Sequence, residues 1–310
     1  MNIYKLNNIN ALSCDTAVTV GMFDGVHVGH QHILQLLKAE AERAGLVPVV
    51  VTFDLHPRQV LGRGDDKFYR ITTNEERYAL LQQYGINGVV EVHFTPEMAA
   101  LSACAFFDQV LCQKLRVKAL VLGYDNVFGS KAHFDFDRLP TMAEEKGVRV
   151  VHDSAVLLGD MEVSSTQIRK ALARGDVRLA AQMMRRSYQL SGQVVKGRQV
   201  GRELGYPTAN VCLSDNVKVM PADGVYAVRV FVEGEDDSWQ GMANLGAQPT
   251  FGLDKPVFEV NIFDFQGDLY GKELRVEFVD KLRDVCRFEG KEQLVAQLKA
   301  DKEAAQKLLQ

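Results

Sequence analysis

The chain has 310 residues, 46% of them hydrophobic and 25% charged, with 36 basic against 40 acidic side chains and a net charge of −4. Such values suit two globular domains of about 150 residues each and exclude disorder, collagen-like repeats and low-complexity polymer. The slight acidity argues against a nucleic-acid partner, which usually requires a broad positive footprint, and five cysteines without a CxxC pair argue against a disulfide framework or a cysteine zinc site.

The opening MNIYKLNNIN has neither the basic start nor the apolar block of a signal peptide. No later run approaches the roughly 18 apolar residues of a membrane helix, so a cytoplasmic protein with no membrane partner is expected. From residue 17 to about 154, short β-rich runs alternate with helical stretches. TAVTVGMF, PVVVTF, GVVEVHF, ALVLGYD and VRVVHDS are the predicted strands. Ile33, Leu34, Leu37 and Ala41 share one face of a helix that Gly45 ends, and NEERYALLQQYG repeats the pattern with Gly85 as its stop. Between strands, Met98 to Arg116 reads as one packed helix. Strands alternating with helices imply parallel pairing, hence an open, Rossmann-like α/β sheet.

Two more helical segments follow, SSTQIRKALARG and DVRLAAQMMRR, and then the pattern changes to period two. YQLSGQVV, GVYAVRVFV, WQGMANL, VFEVNIFDF and ELRVEFV read as antiparallel strands of a barrel or sandwich, with an acidic hairpin loop at 233–237 and a final helix from about Lys291. Trp239 and the phenylalanines of these strands are expected in the core. The domain boundary falls near Arg185 to Tyr188, giving domains 1–186 and 187–310. Nine basic residues against the single acid Asp176 mark 169–202, which suits a small anionic ligand or a solvated face.

The sharpest motif is GMFDGVHVGH at 21–30, between the first strand and its helix. A helix N-terminus at the carboxyl end of a parallel strand offers amides and partial positive charge to an anion. Gly21, Gly25 and Gly29 let the backbone approach phosphate oxygens, and His27 and His30 add imidazoles. The spacing matches neither GK[ST] nor GxGxxG; the other reading is a tight turn with two surface histidines. Farther on, Ser164, Ser165 and Thr166 open a helix with Arg169 a turn later, a second grip for phosphate oxygens. Two such grips at one sheet point to a nucleoside triphosphate.

HxGH with a distal SSTxIR resembles the adenylyltransferase module of the bifunctional prokaryotic riboflavin kinase/FAD synthetases, within the HxGH nucleotidyltransferases. VTFDLHP, RITT and GYDNVFG support the likeness. In the second half GRELGYPTAN at 201–210 is similar to that family's kinase signature, and ANLGAQPTFG, FEVNIFDFQGDLYGK and LRDVCRF follow in order. The resemblance implies a riboflavin kinase-like, six-stranded antiparallel β-barrel with a terminal helix after the nucleotidyltransferase domain. It also implies ATP and Mg²⁺, with riboflavin, FMN and FAD as substrates and products. Two segments depart from the family pattern: Asn126, Val127 and residues 130–135 replace a Phe-Arg pair and a basic stretch, and MRRSY stands where LGRPY is common.

By the same resemblance, Glu259 is the base of riboflavin phosphorylation and Thr208 and Asn210 ligate the metal. Gly201, Gly205 and Pro207 shape a loop over the ATP phosphates, which Lys196, Arg198 and Arg202 steer. His27 and His30 with the backbone around Gly25 serve adenylyl transfer, while Ser164, Ser165, Thr166 and Arg169 hold pyrophosphate. Phe23, Asp24, His56 and Asp125 are implied contacts to nucleotide or flavin, Asp24 and Asp125 being alternatively turn residues and His56 a strand end. His93, His133 and His152 show no ligand spacing. Three other readings remain: a kinase whose adenylyl step is weakened by the altered 126–135 segment, a flavin-binding regulator without turnover, and another HxGH transferase, which leaves the barrel unexplained. The sequence is silent on oligomeric state, leaving room for a homo-oligomer.

Overall fold

The computed structural model describes residues 1–56, 60, 69–124, 136–197, 200–214, 217–248 and 253–310. Its backbone contacts divide into two compact units, 1–165 and 166–310.

The first unit is built on a six-stranded sheet of β1 (Asn2–Lys5), β2 (Thr16–Val20), β3 (Val47–Phe53), β4 (Gly88–Val92), β5 (Val117–Leu122) and β6 (Arg149–His152), in the order β1-β4-β3-β2-β5-β6. Every neighbouring pair is parallel, as strands separated by helical crossovers must be. The five predicted strands are present; β1 is an addition, a short edge strand mostly exposed. All five residues of β2 are buried, because helices and loops cover both faces of the sheet. One core holds Val18, Val20, Val51 and Leu120, and the other Ala17, Val50 and Val121 with Leu34 and Leu37 of α1 (Val28–Ala44). Leu34 and Leu37 are fully buried, and each contributes about 1.5–3 kcal/mol. Gly45 ends α1 at φ 63, the left-handed conformation that glycine adopts without strain. Between β3 and β4, α2 (Asn74–Gln83) starts on a capping box made by Thr73 and Glu76.

The single helix expected from Met98 to Arg116 is two pieces, α3 (Pro96–Ala100) and α4 (Ala103–Phe106), the latter running into a π-helical stretch at Phe107–Cys112. Leu101 turns extended and Ser102 caps the new start through its hydroxyl, which accepts from the Ala105 amide at 3.1 Å. A local hydroxyl outcompetes helix continuation there. After α5 (Leu139–Glu145) and β6, a small hairpin of β7 (Leu157–Leu158) and β8 (Met161–Glu162) leads out of the unit.

In the second unit, α6 (Ser165–Ala173) and α7 (Val177–Met184) precede β9 (Tyr188–Val195), the short α8 (Val200–Glu203), β10 (Ala209–Leu213), β11 (Gly224–Val232), β12 (Ser238–Gln248), β13 (Leu253–Ile262), β14 (Glu273–Arg283) and α9 (Lys291–Leu309). The six strands close into an antiparallel barrel, β10-β13-β12-β11-β14-β9. Phe258, Phe278 and Tyr226 fill it, the Phe278 ring meeting Tyr226 edge-on at 5.3 Å. Helix α7 lies on β14 and β9, and α9 on β11, β12 and β14. Residues 233–237 form the expected link between β11 and β12. Trp239 corrects the core expectation: it is half-buried, its indole N–H donates to Glu235 at 2.6 Å and its ring meets Phe265 edge-on at 5.1 Å. The indole N–H needs a partner, and the polar loop supplies one that the barrel interior lacks. All five cysteines are free thiols. Among the described residues no helix is long and apolar enough to cross a membrane.

Candidate functional site

In the first unit, β3, β4 and β1 lie on one side of β2, and β5 and β6 on the other. The loop leaving β2 therefore sits at the switch point where open parallel sheets bind ligands. That loop is strained: Phe23 at φ 51 and Val26 at φ 36 are left-handed without being glycine, at about 1–3 kcal/mol each. Both side chains are buried, at 1% and 0% exposure. The Gln31 side chain donates to the Val26 carbonyl at 2.9 Å.

His27 is the N-cap of α1, its Nδ1 accepting from the His30 amide at 3.4 Å. An accepting Nδ1 leaves the proton of the neutral ring on Nε2. The His27 and His30 rings stack with centroids 3.7 Å apart, and Phe23 lies 5.0 Å from His30. A Cβ on Gly29 would come within 3.2 Å of the His27 ring, so only glycine leaves that imidazole its place without a shift.

The expected ligand contacts divide into groups that face outward and groups that build the turn. Phe23 belongs to the second kind, its ring packed in the core beneath His30. Asp24, 2% exposed, also points inward: its carboxylate accepts from the Ile71 and Thr72 amides at 3.0 Å each and from the Thr72 hydroxyl at 3.1 Å. The Gly25 amide donates to that hydroxyl at 3.1 Å and the Gly21 amide to the Val51 carbonyl at 3.0 Å. The amides of Gly21 and Gly25 are thus engaged within the protein, and the donors without an intrahelical acceptor are those of Val28 and Gly29, the first of α1. Asp24→Ala strands several buried donors and is expected to destabilise the first unit by about 3 kcal/mol, read as a shift in its urea unfolding midpoint.

The two anion motifs meet at one bond, in which the Ser165 hydroxyl donates to the Asp24 carbonyl at 2.8 Å. Ser164 is half-buried beside it. On α6, Thr166 is exposed and Arg169 half-buried. His56 follows the carboxyl end of β3, half-buried, while Asp125, Asn126, Val127 and His133 lie outside the described residues. His93 pairs with Asp54 at 2.5 Å. Burial raises the Asp54 carboxyl, but hydrogen bonds from His93 and from the Phe94 and Leu55 amides outweigh it and hold the group below the usual carboxylate range.

Sequence reasoning missed Arg77. It is 1% exposed, and its guanidinium donates to the carbonyls of Met22 at 3.1 Å and Phe53 at 2.9 Å and to the Asn74 side chain at 3.0 Å. The Thr52 hydroxyl donates to the same Met22 carbonyl at 3.2 Å. Arg77 thus pins the carboxyl ends of β2 and β3, the floor of the His27 turn. One signal was present: Arg77 and Leu81 are four residues apart on α2, which puts both on its buried face.

The second site lies on the barrel wall. Ala209, Val211, Phe258 and Val260 point inward and are buried, so Asn210 and Glu259 between them face outward, both half-buried. Asn210 pairs with Glu259 across β10 and β13, and Asn244 pairs with Glu259 from β12. Directly opposed residues share a face with Cβ atoms about 5 Å apart, so Glu259 has an asparagine opposite it on each neighbouring strand. Asn261, two residues on, donates to the Pro207 carbonyl at 2.6 Å and seats the preceding loop on β13. Gly201 and Tyr206 close that loop, the Tyr206 amide donating to the Gly201 carbonyl at 2.8 Å, and Gly205 takes φ 80. A Cβ on Gly201 would meet the Tyr206 carbonyl at 2.3 Å, and one on Gly197 the Asn210 amide at 2.0 Å. Gly197, absent from the sequence reading, is therefore needed to leave Asn210 in place. Thr208 is half-buried; Pro207, Lys196 and Arg202 are exposed; Arg198 lies outside the described residues. Among the described residues no three His, Cys, Asp or Glu side chains form a metal-binding group.

Residues 9–167 match the FAD synthetase family and residues 184–309 the riboflavin kinase family. A bifunctional riboflavin kinase/FMN adenylyltransferase of Pseudomonas fluorescens is 38% identical, over 98% of this chain and 96% of its own. Proteins of the same name from Bacillus subtilis strain 168 and Escherichia coli K12 are each 36% identical, over 94% and 96% of this chain and 91% and 94% of their own. A crystal structure described as a macrolide-efflux protein from Streptococcus pneumoniae has a TM-score of 0.88 at 33% identity over 99% of both chains. Each unit thus has its own family match, and relatives that join the two in one polypeptide align along nearly the whole length. The chain belongs to the family of bifunctional riboflavin kinase/FMN adenylyltransferases.

Proposed function

We propose that the chain phosphorylates riboflavin to FMN with residues 187–310 and adenylylates FMN to FAD, releasing pyrophosphate, with residues 1–186. The observation that carries the reading is the register of β10 on β13, which sets Asn210 of the PTAN loop opposite Glu259 on the outer wall of the barrel.

The ribityl hydroxyl is a weak nucleophile, so its attack on the γ-phosphorus of ATP gains from a base. Glu259 takes the hydroxyl proton as the new O–P bond forms and ADP departs. Thr208 and Asn210 offer hard oxygen ligands of the kind Mg²⁺ accepts, and the ion, when bound, supplies charge neutralisation across the phosphates. Gly201, Gly205 and Pro207 hold the loop shape, while Lys196 and Arg202, exposed at its rim, draw the triphosphate in.

In the second reaction an FMN phosphate oxygen attacks the α-phosphorus of ATP and the bond to pyrophosphate breaks. The nucleophile is already anionic, so positioning and charge stabilisation dominate over proton transfer. His27, donating through Nε2, and His30 act on the α-phosphate of the transferred adenylyl group with the Val28 and Gly29 amides. Ser164, Thr166 and Arg169 hold the departing pyrophosphate, Ser165 ties that segment to the turn, and His56 faces the flavin.

Incubating the full chain with riboflavin, ATP and Mg²⁺ and separating flavins over time is expected to show FMN first and FAD second, with chelation of Mg²⁺ stopping FMN formation. FMN accumulating without FAD, and no FAD from FMN plus ATP, would leave only the kinase.

A further inference from the structure

The basic run at 169–202 is only partly used by these two reactions, and part of it gathers around one hollow. Arg178, Arg185 and Arg186 line an open concavity of about 520 Å³ in the second unit, within the range of small-molecule sites. Ala181 of α7, Val279 of β14 and Leu308 of α9 make its apolar wall. The single acid on the lining is Asp280, whose Oδ2 lies 3.9 Å from Arg178 Nη1. The lining thus carries three guanidinium groups and one carboxylate.

Arg185 is exposed. As the C-cap of α7 it holds φ 54 and ψ 28, a left-handed conformation that glycine adopts freely and a side chain strains to adopt. It has no ion-pair partner among the described residues. Arg186 is turned back on the same cap, its Nη1 donating to the Met184 carbonyl at 3.4 Å. The fold therefore keeps a guanidinium on strained backbone in the lining of a hollow that two further arginines share.

We propose that this hollow binds a small phosphorylated molecule, a nucleotide-sized phosphate ester. Its phosphates meet Arg178, Arg185 and Arg186, and its ring rests on Ala181, Val279 and Leu308. Planar guanidinium forks match phosphate oxygens two at a time, which suits a doubly charged phosphate better than a lone carboxylate. No residue lining the hollow is assigned to either reaction, so the proposal does not depend on either activity.

Hydrogen–deuterium exchange on the full chain, with ADP, FMN or inorganic pyrophosphate at millimolar concentration, tests the proposal. Peptides covering 174–190 and 303–310 are expected to exchange several-fold more slowly with ligand. In the double variant Arg178→Gln/Arg185→Gly the same protection is expected to need at least about tenfold more ligand. Peptides over 21–30 and 200–210 report the reaction centres and are expected to respond alike in both proteins. Arg185→Gly alone is expected to raise Tm by about 2–4 °C, because it relieves the left-handed strain, so lost binding is distinguishable from lost folding. ADP and FMN acting at lower concentration than pyrophosphate supports the role of the apolar wall, and equal action overturns that part. No protection of either peptide by any probe, or equal protection in the double variant, overturns the site.

Discussion

His27→Ala is expected to lower FAD formation from FMN and ATP by about 10²–10³ while FMN formation from riboflavin stays near wild type. The asymmetry follows from the fold, because His27 is built into the first unit and the Glu259 row into the barrel. The same substitution also removes the N-cap of α1, which costs about 1 kcal/mol and could lower the rate by loosening the turn. His27→Asn separates the two effects: asparagine is a good N-cap but has no imidazole donor, so the variant should regain stability in urea and still fail to make FAD. Recovery of FAD formation by His27→Asn would reduce His27 to a cap. Equal loss of both activities in His27→Ala would refute the division of labour between the units.

Glu259→Gln is expected to cut FMN formation by about 10²–10⁴, the usual worth of a positioned base, while preformed FMN is adenylylated at the normal rate. Glutamine keeps the volume and the cross-strand neighbours Asn210 and Asn244, so the barrel should fold and the loss should fall on turnover with little change in KM for riboflavin. A matching rise in KM with unchanged kcat would make Glu259 a binding group, and normal phosphorylation would remove it from the reaction.

Much of this was legible in the sequence because it is periodic. Alternating strands and helices point to a parallel sheet, and the glycines and histidines after TAVTV mark an anion site at the carboxyl end of that strand; that this strand flanks the switch point follows only from the strand order. What was hidden lacks local signal. The edge strand β1 is four residues long and mostly exposed, so no alternation betrays it. β10 begins inside PTAN, where the loop motif hides the strand, although its Ala209 and Val211 carry the period of two. Asp24 reads in the sequence as a ligand contact or a turn residue and Arg77 carries no motif; their burial depends on amides at 71–72 and carbonyls at 22 and 53, distant in the chain and adjacent only after folding. Trp239 was misplaced for the reverse reason, a hydrophobic residue whose polar edge found its acceptor outside the barrel.

The pairing of Asn210 with Glu259 restricts how this gene can change length. Side chains alternate sides along a strand, so deleting or inserting one codon within β10 or β13 would turn one member of the pair toward the barrel interior and present Ala209, Val211, Phe258 or Val260 to water. Length variation is therefore expected at the acidic 233–237 bend, where added residues lengthen a surface loop and leave every strand in phase.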